Sequence, residues 1–443
     1  MLRSIVNTCF ILALFSGCTN TPDSSALSPE QIRGHSAVGI SWLQQFNDQA
    51  LNKDISTALS NNPDLAAIAL RIRQADASVL AARAATQPRL NLGFEYREGQ
   101  KREANFGPYT LAPWKSIAGL TWELDLSGKL RAASASAQEN KAAAIWDFHA
   151  ARLLLASRLA SVRINLYRFN RELSFFQESI KASNACLRVI RERSQAGLIS
   201  DSVLEKQRAE HEQLVRGELD LTRLRDLTIV QLRSLRGGSN PGNTMRSNFP
   251  SPKNLATKPI DELLASHPTI LAAEARVRSA FQIEQAARLD LLPSLKINAL
   301  SSGAQKNLAN RFSTWITQIG PSLSIPIYDP IRLASLKARK ADAQLASTTY
   351  QSTVLRSLRE IDSARINLVN RRAQLAAAQR ESSSLTQSLA IAREQFEAGL
   401  TSLIELLETE RRWLKTKRSE TSLQQSLLNA RLDLIKATGG GCW

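Results

Sequence analysis

The chain has 443 residues, of which 43% are hydrophobic and 22% charged, with a formal net charge of +17. That balance excludes a disordered chain and supplies enough apolar residues for real cores, while no apolar run reaches the ~20 residues of a membrane-spanning helix. The positive excess is interleaved with acids along the chain and lacks a basic stripe beside an aromatic platform, which argues against nucleic acid as a partner.

The first feature is CFILALF at 9–15, preceded by Arg3 and followed by Ser16-Gly17-Cys18. A charge, a short apolar core and small residues ending in Cys resemble a bacterial lipoprotein signal peptide over 1–17, with Cys18 as the lipidated first residue. Thr19 after that Cys favours outer-membrane sorting under the same resemblance. An ordinary leader with an incidental Cys is the alternative. Residues 18–60 form an N-terminal extension leading into the first repeat.

Next comes a helical segment, 64–87, bounded by Pro63 and Pro88 and free of Gly and Pro. Two strands follow around a polar loop. Leu90, Leu92, Phe94 and Tyr96 alternate with Asn91, Gly93, Glu95 and Arg97; Leu120, Trp122, Leu124 and Leu126 alternate with Thr121, Glu123 and Asp125. Period two with one apolar face is the strand signal. Ser127-Gly128 then opens a Gly- and Pro-free arm, 129–196, which as α-helix spans about 100 Å at ~1.5 Å per residue. After Ala196-Gly197-Leu198 a second arm runs over 198–236.

Beyond a linker at 239–257 the chain repeats itself. Pro63, Arg71, Arg83 and Pro88 recur as Pro268, Arg276, Arg288 and Pro293 at a constant offset of 205. Gly119 and Arg131 recur at 201, while Ala196-Gly197-Leu198 and Gly237-Gly238 recur at 202 as Ala398-Gly399-Leu400 and Gly439-Gly440. The chain is therefore two copies of one unit. Repeat 1, 61–238, has strands about 88–98 and 114–126 and helices about 128–196 and 198–236. Repeat 2, 258–443, has strands about 293–303 and 313–327 and helices about 330–398 and 400–438, with Asp329-Pro330 at the second junction. Val354, Ile361, Leu368, Leu375, Leu389 and Phe396 share one seven-residue register, interrupted only by Ser382. Arg365 and Arg372 spoil the companion positions, so the arm suits sideways packing better than a two-stranded coil.

Four strands are too few to close. In hydrocarbon an open edge costs several kcal/mol per unpaired backbone group, and membrane barrels begin at ~8 strands. Three chains give twelve, provided the strands lie in lipid; Phe94, Tyr96 and Trp122 near strand ends suit an aromatic girdle. The competing reading is a secreted helical rod capped by two hairpins in water.

On these residues the chain resembles the outer membrane factor family of TolC-like efflux and secretion ducts, in particular its lipoprotein branch of the NodT or OprM type. The marks are Trp42-Leu43-Gln44-Gln45-Phe46-Asn47-Asp48, Asn62-Pro63-Asp64-Leu65, Trp122-Glu123-Leu124-Asp125-Leu126 with Gly128, Leu323-Ser324-Ile325-Pro326-Ile327, both Ala-Gly-Leu tips and Gly439-Gly440-Gly441. Pro330-Ile331 departs from a common Gly pair, and Cys442 intrudes before the final Trp. The resemblance implies a mainly α fold with a membrane β-barrel: a homotrimer forming a 12-stranded barrel and a periplasmic α-helical tunnel. It implies no cofactor and no catalysis. The implied partners are a periplasmic adaptor, an inner-membrane pump of the RND, ABC or MFS type, and outer membrane lipid.

By that resemblance the periplasmic gate lies just past the second tip. Ile404, Glu408 and Arg411 share one helix face by their spacing of 4 and 3, with Asp201 and Glu205 at the equivalent place in repeat 1. A ring of Ile404 would plug the axis, and Glu408 and Arg411 from adjoining helices would latch it. A routine exposed helix pair is the alternative for those two. The tips Gly197, Leu198, Ile199, Gly399, Leu400 and Thr401 are the implied adaptor-docking residues. The four histidines show no metal-ligand spacing. Cys186 and Cys442 are either free or paired. With +17 per chain, a weaker cation preference, or anion preference, is expected of the duct.

Overall fold

The computed structural model describes residues 41–96, 100–103, 107–110, 114–242, 244–252, 259–305 and 314–440. The signal-peptide segment, Cys18, Gly441 and Cys442 lie outside the described residues. The described residues form one compact unit.

A 3-10 turn at Ser41–Phe46 leads to α1, Gln49–Asn61, and α2, Pro63–Ala84. Asp48 caps α1 by accepting from the Ala50 and Leu51 amides, and Asn62 caps α2 by accepting from the Leu65 amide, with Pro63 at the first helical position. The strands of repeat 1 are β1, Arg89–Tyr96, the short β2, Gln100–Glu103, and β3, Gly107–Thr110, and then β4, Trp114–Leu124. The long arm α3, Lys129–Gln195, runs 67 residues, and α4, Asp201–Leu235, returns over 35. A short α5, Ile260–Ala265, precedes repeat 2: α6, Pro268–Leu289; β5, Ser294–Gln305; β6, Thr314–Ser324; α7, Pro330–Glu397; and α8, Leu403–Ala437.

The strands stop at Leu124 and Ser324 because the next residues already serve the helix. Asp125 accepts from the Leu130 and Arg131 amides and Asp329 from the Ile331 and Arg332 amides. Each carboxylate thus fills orphan donors at the start of a helix some 100 Å long. The loop expected in repeat 1 carries the extra two-stranded ribbon β2–β3.

The main sheet has order β1-β4-β5-β6, antiparallel throughout, with β1 and β6 as free edges. Its register sorts the charges. Arg89, Glu95, Lys115, Glu123 and Lys296 are all of its ionisable Asp, Glu, Lys and Arg residues, and all five fall on one face. The opposite face carries Leu90, Leu92, Phe94, Leu120, Trp122, Ile297, Ile319 and Leu323 without a formal charge. Because side chains alternate between faces, a one-residue slip would drive every charge to the apolar side.

Below the sheet α3 is the hub, packed against α1, α2, α4, α6 and α8, while α7 packs on α6 and α8. The seven-residue stripe of α7 turns inward as read from sequence: Ile361, Ser382 and Leu389 are buried, Val354, Leu368, Leu375 and Phe396 half-buried, and Arg365 and Arg372 exposed. The main core joins Trp42, Phe46, Leu51 and Ile55 to Leu159, Ile164 and Leu166 of α3, to Leu232 and to Leu432 and Ile435.

The return arms are half the length of α3 and α7, and the two shorter helices continue them. Asn62, besides capping α2, donates to the Leu235 carbonyl at the end of α4 (2.9 Å). The close joint admits no side chain at Gly237, whose added Cβ would lie 2.2 Å from the Asn61 carbonyl oxygen. In repeat 2 a Cβ at Gly439 would lie 2.8 Å from the Pro268 ring Cδ, a looser version of the same joint.

A buried polar network locks this level. Asp48 accepts from Tyr167 (2.5 Å) and Arg246 (3.0 Å), Arg163 donates to the Tyr167 oxygen (3.0 Å), and Asp54 bridges Arg163 and Arg236 (both 3.1 Å). Burial, followed by the bond to Asp48, pushes the Tyr167 phenol up to about 12.

Candidate functional site

Both arms turn through the same geometry. Gly197 and Gly399 adopt φ of +70° and +72°, and the amides of Leu198 and Leu400 reach back to the Arg193 and Gln395 carbonyls at 2.9 and 2.8 Å. This is the glycine helix stop with a 6→1 bond. Ser200 and Ser402 cap the return helices, the latter on the Glu405 amide. Thr401 donates to the Glu405 carboxylate at 2.7 Å, which fixes the second tip further.

The tips cohere through a small apolar cluster. Leu187, Ile190 and Leu204 are buried, with Cys186, Ile199 and Leu403 packed on them, so both repeats meet there. Burial, with Glu410 and Glu210 adding to it, pushes the Cys186 thiol up to about 11, so it stays protonated at neutral pH. Leu198 and Leu400 remain 73% and 79% exposed. Most of each side chain therefore faces away from the rest of the described chain.

Above the tips α4 and α8 diverge, leaving a groove of about 720 Å³ floored by Phe176, Ser179 and Ser183 of α3. Arg411 spans it and donates to Glu210 of α4. The sequence expectation has Arg411 latching the gate with an adjoining helix or pairing with Glu408 on its own; within one chain its partner is Glu210. The repeat offset of 202 places Arg411 level with Ala209, which narrows its partners to the acids of that turn without singling out Glu210. Glu410, next to Arg411, is held by Arg393 of α7 at 2.8 Å.

Of the other residues singled out, Asp201 accepts from Ser194 at 2.5 Å across the first tip, and Glu205 pairs with Arg208, also at 2.5 Å. Glu408 is exposed, with no hydrogen bond or ion pair to the described residues of its own chain, and Ile404 is 57% exposed. The structure therefore leaves Ile404 and Glu408 unspent while Arg411, Asp201 and Glu205 are engaged locally. Among the described residues no three His, Cys, Asp or Glu side chains converge on a possible metal position.

At the opposite end a belt of charges stitches strands to helices. Lys129 bridges Glu123 of β4 (2.8 Å) and Asp290 (3.0 Å), Lys296 of β5 approaches Glu123 at 3.6 Å, and Arg332 joins Asp290 (3.5 Å) to Asp329 (3.1 Å). The Trp122 indole donates to the Thr86 carbonyl at 2.9 Å, tying down the remaining crossing, from α2 to β1.

Comparison with known proteins gives one answer. The family model for outer membrane efflux proteins matches residues 55–238 and 260–440. The pyoverdine export outer membrane protein OpmQ of Pseudomonas putida is 26% identical, over 97% of this chain and 96% of its own. The probable outer membrane lipoprotein SilC of Salmonella typhimurium is 24% identical over 98% of both. Among solved structures, the Campylobacter jejuni CmeC outer membrane channel superposes with a TM-score of 0.81 at 22% identity, covering 91% of this chain and 88% of that one.

Proposed function

The chain belongs to the outer membrane efflux protein family, whose members are outer membrane channels working as trimers with a periplasmic adaptor and an inner-membrane pump, and from that premise we propose how this chain builds and closes its duct. Three copies join β6 of one to β1 of the next. The sheet has an even number of antiparallel strands, so β6 meets the neighbouring β1 antiparallel and the ladder continues without a break. Two copies would make eight strands, whose interior side chains fill; three leave a lumen. The observation that carries this reading is the register: every formal charge of the main sheet faces one way and two unpaired edges flank it.

The periplasmic end is closed by the tips. Ile404 supplies the apolar plug and Glu408 a charge without a partner among the described residues of its own chain, placed to meet a neighbouring copy. Arg411–Glu210 holds α8 against α4 in each copy, and Asp201 and Glu205 line the matching position of repeat 1. The exposed Leu198 and Leu400, with Gly197, Ile199, Gly399 and Thr401, form the adaptor-docking surface. Cys18 carries the lipid anchor, a reading supported by its signal-peptide context; labelled palmitate incorporated in the wild type but not in Cys18→Ser tests it.

The assembly is tested by fractionating cells and running the outer membrane fraction unboiled in SDS. A band at three times the chain mass, entering that fraction only, is expected. A monomer found in the aqueous extract overturns the reading.

A further inference from the structure

The polar face of the sheet is not electrically balanced. Glu123 is compensated twice, by Lys129 at 2.8 Å and Lys296 at 3.6 Å. Glu95 stands opposite Lys115 in the β1–β4 register. Arg89 has no such acid. Its row across the sheet reads Thr121, Asn298 and Gly320, its side chain is exposed, and it makes no ion pair with a described residue. Among the described strands that face therefore carries Arg89, Lys115 and Lys296 against Glu95 and Glu123, an excess of one positive charge per copy.

Position leaves that excess uncancelled. Arg89 is the first residue of β1, one pleat from the Glu123–Lys296 pair and beside a belt whose cations Lys129 and Arg332 are already matched by Asp290 and Asp329. A threefold closure would set three Arg89 side chains around the throat where barrel meets tunnel. A ring of like charge in a low-dielectric wall focuses the field and raises the local concentration of counter-ions.

We propose that the throat of this duct is an anion-preferring passage, with Arg89 as its determinant, and that solutes bearing carboxylate, phosphate or sulfate groups pass it more readily than cations of equal size. The inference rests on the polar face lining the lumen, as the proposed assembly requires. It is independent of the chain's overall charge, most of which lies on the helices.

The test is the zero-current potential of purified trimers in planar bilayers across a potassium chloride gradient near 10 mM, where the Debye length is about 30 Å. The wild type should show the sign of chloride preference. Arg89→Glu should lower the chloride-to-potassium permeability ratio by about twofold or more, and the shift should vanish near 1 M salt, where screening acts within about 3 Å. Lys115→Gln gives a second, independent shift in the same direction should Arg89→Glu assemble poorly. Potassium preference in the wild type, or a ratio unmoved by both substitutions, overturns the inference while the channel itself stands. Failure to form any pore would instead strike the proposed assembly, and this inference with it.

Discussion

Arg411 of α8 donates to Glu210 of α4, a carboxylate 201 residues earlier in the chain, and so ties the return helix of one repeat to that of the other. The Arg411 side chain is 60% exposed, so one such pair contributes only about 0.2–1 kcal/mol. Three copies opening together sum to at most about 3 kcal/mol, roughly a hundredfold in the closed-to-open ratio. Glu210→Gln should therefore raise the open fraction of single channels by about threefold to a hundredfold at low salt, and added salt should raise the wild type toward it. An open fraction unchanged by Glu210→Gln would place the closing force elsewhere at the tips.

Glu408 makes a separate case, because the described residues of its own chain give it no hydrogen bond or ion pair. If it meets a neighbouring copy, Glu408→Ala should open the channel further in an Arg411→Ala background than Arg411→Ala does alone. Equal conductance records from the single and double variants would leave Glu408 an exposed helix residue and nothing more.

Much of this architecture can be read along the chain because it is periodic. The offsets of 205, 201 and 202 reveal the duplication, alternation at Leu90–Tyr96 reveals the strand, and the stripe from Val354 to Phe396 reveals the packed side of α7. Local rules set these features, and local rules leave traces at fixed spacing. Pairings across the fold leave none. Tyr167 finds Asp48 over 119 residues and Asn62 finds Leu235 over 173. Their side chains are common types whose meaning appears only once α4 is seen to end where α2 begins. Arg411 lies between the two cases, since the repeat offset gives its level along the arms but not which acid it meets.

The buried network around Asp54 should dominate stability at the level where helices join. Arg163 is fully buried and Arg236 nearly so, and both draw their counter-charge from this one carboxylate. Asp54→Ala removes the counter-charge that two buried guanidinium groups share, although Arg163 keeps its bond to Tyr167 and Arg236 its bond to the Asn240 carbonyl, and should cost about 3–5 kcal/mol. Tyr167→Phe removes a hydroxyl that donates to Asp48 and accepts from Arg163, and should cost about 1–3 kcal/mol. Thermal melting of the purified trimer ranks the two, and the reverse order would mean that Asp54 is dispensable.

Tyr167 also gives the protein an alkaline limit. Its phenol titrates near 10 when unfolded and at about 12 in the fold. The raised value means that the folded state holds its proton more tightly. Its contribution is thus complete below pH 10, begins to fade above it and is gone once pH has risen through about 12. The melting temperature of the wild type should fall more steeply between these limits than that of Tyr167→Phe. Parallel curves for the two proteins would remove Tyr167 from the alkaline transition.

Two glycines of nearly equal φ separate strain from collision. Gly197 and Gly237 sit at +70° and +69°, yet an added Cβ meets nothing at the first and the Asn61 carbonyl oxygen at 2.2 Å at the second. Gly197→Ala should cost only the left-handed penalty of about 1–2 kcal/mol. Gly237→Ala adds displacement of backbone where α4 meets α2, and should lower the melting temperature distinctly more. Similar losses for both would mean that the joint yields freely.

The leucines at the tips offer the cleanest separation of docking from folding. Leu198 and Leu400 are the most exposed large apolar side chains of their loops, and the hydrogen bonds that shape those loops come from the backbone. Replacing them therefore removes no core contact and no cap. Leu400→Asp, alone and with Leu198→Asp, should leave the SDS-resistant trimer and its melting temperature unchanged. It should nevertheless abolish co-purification with the adaptor, because a desolvated carboxylate without a partner costs far more than a buried leucine contributes. Lost trimer would assign these leucines to assembly, and intact adaptor binding would move the docking surface up the helices, toward the groove that Arg411 spans.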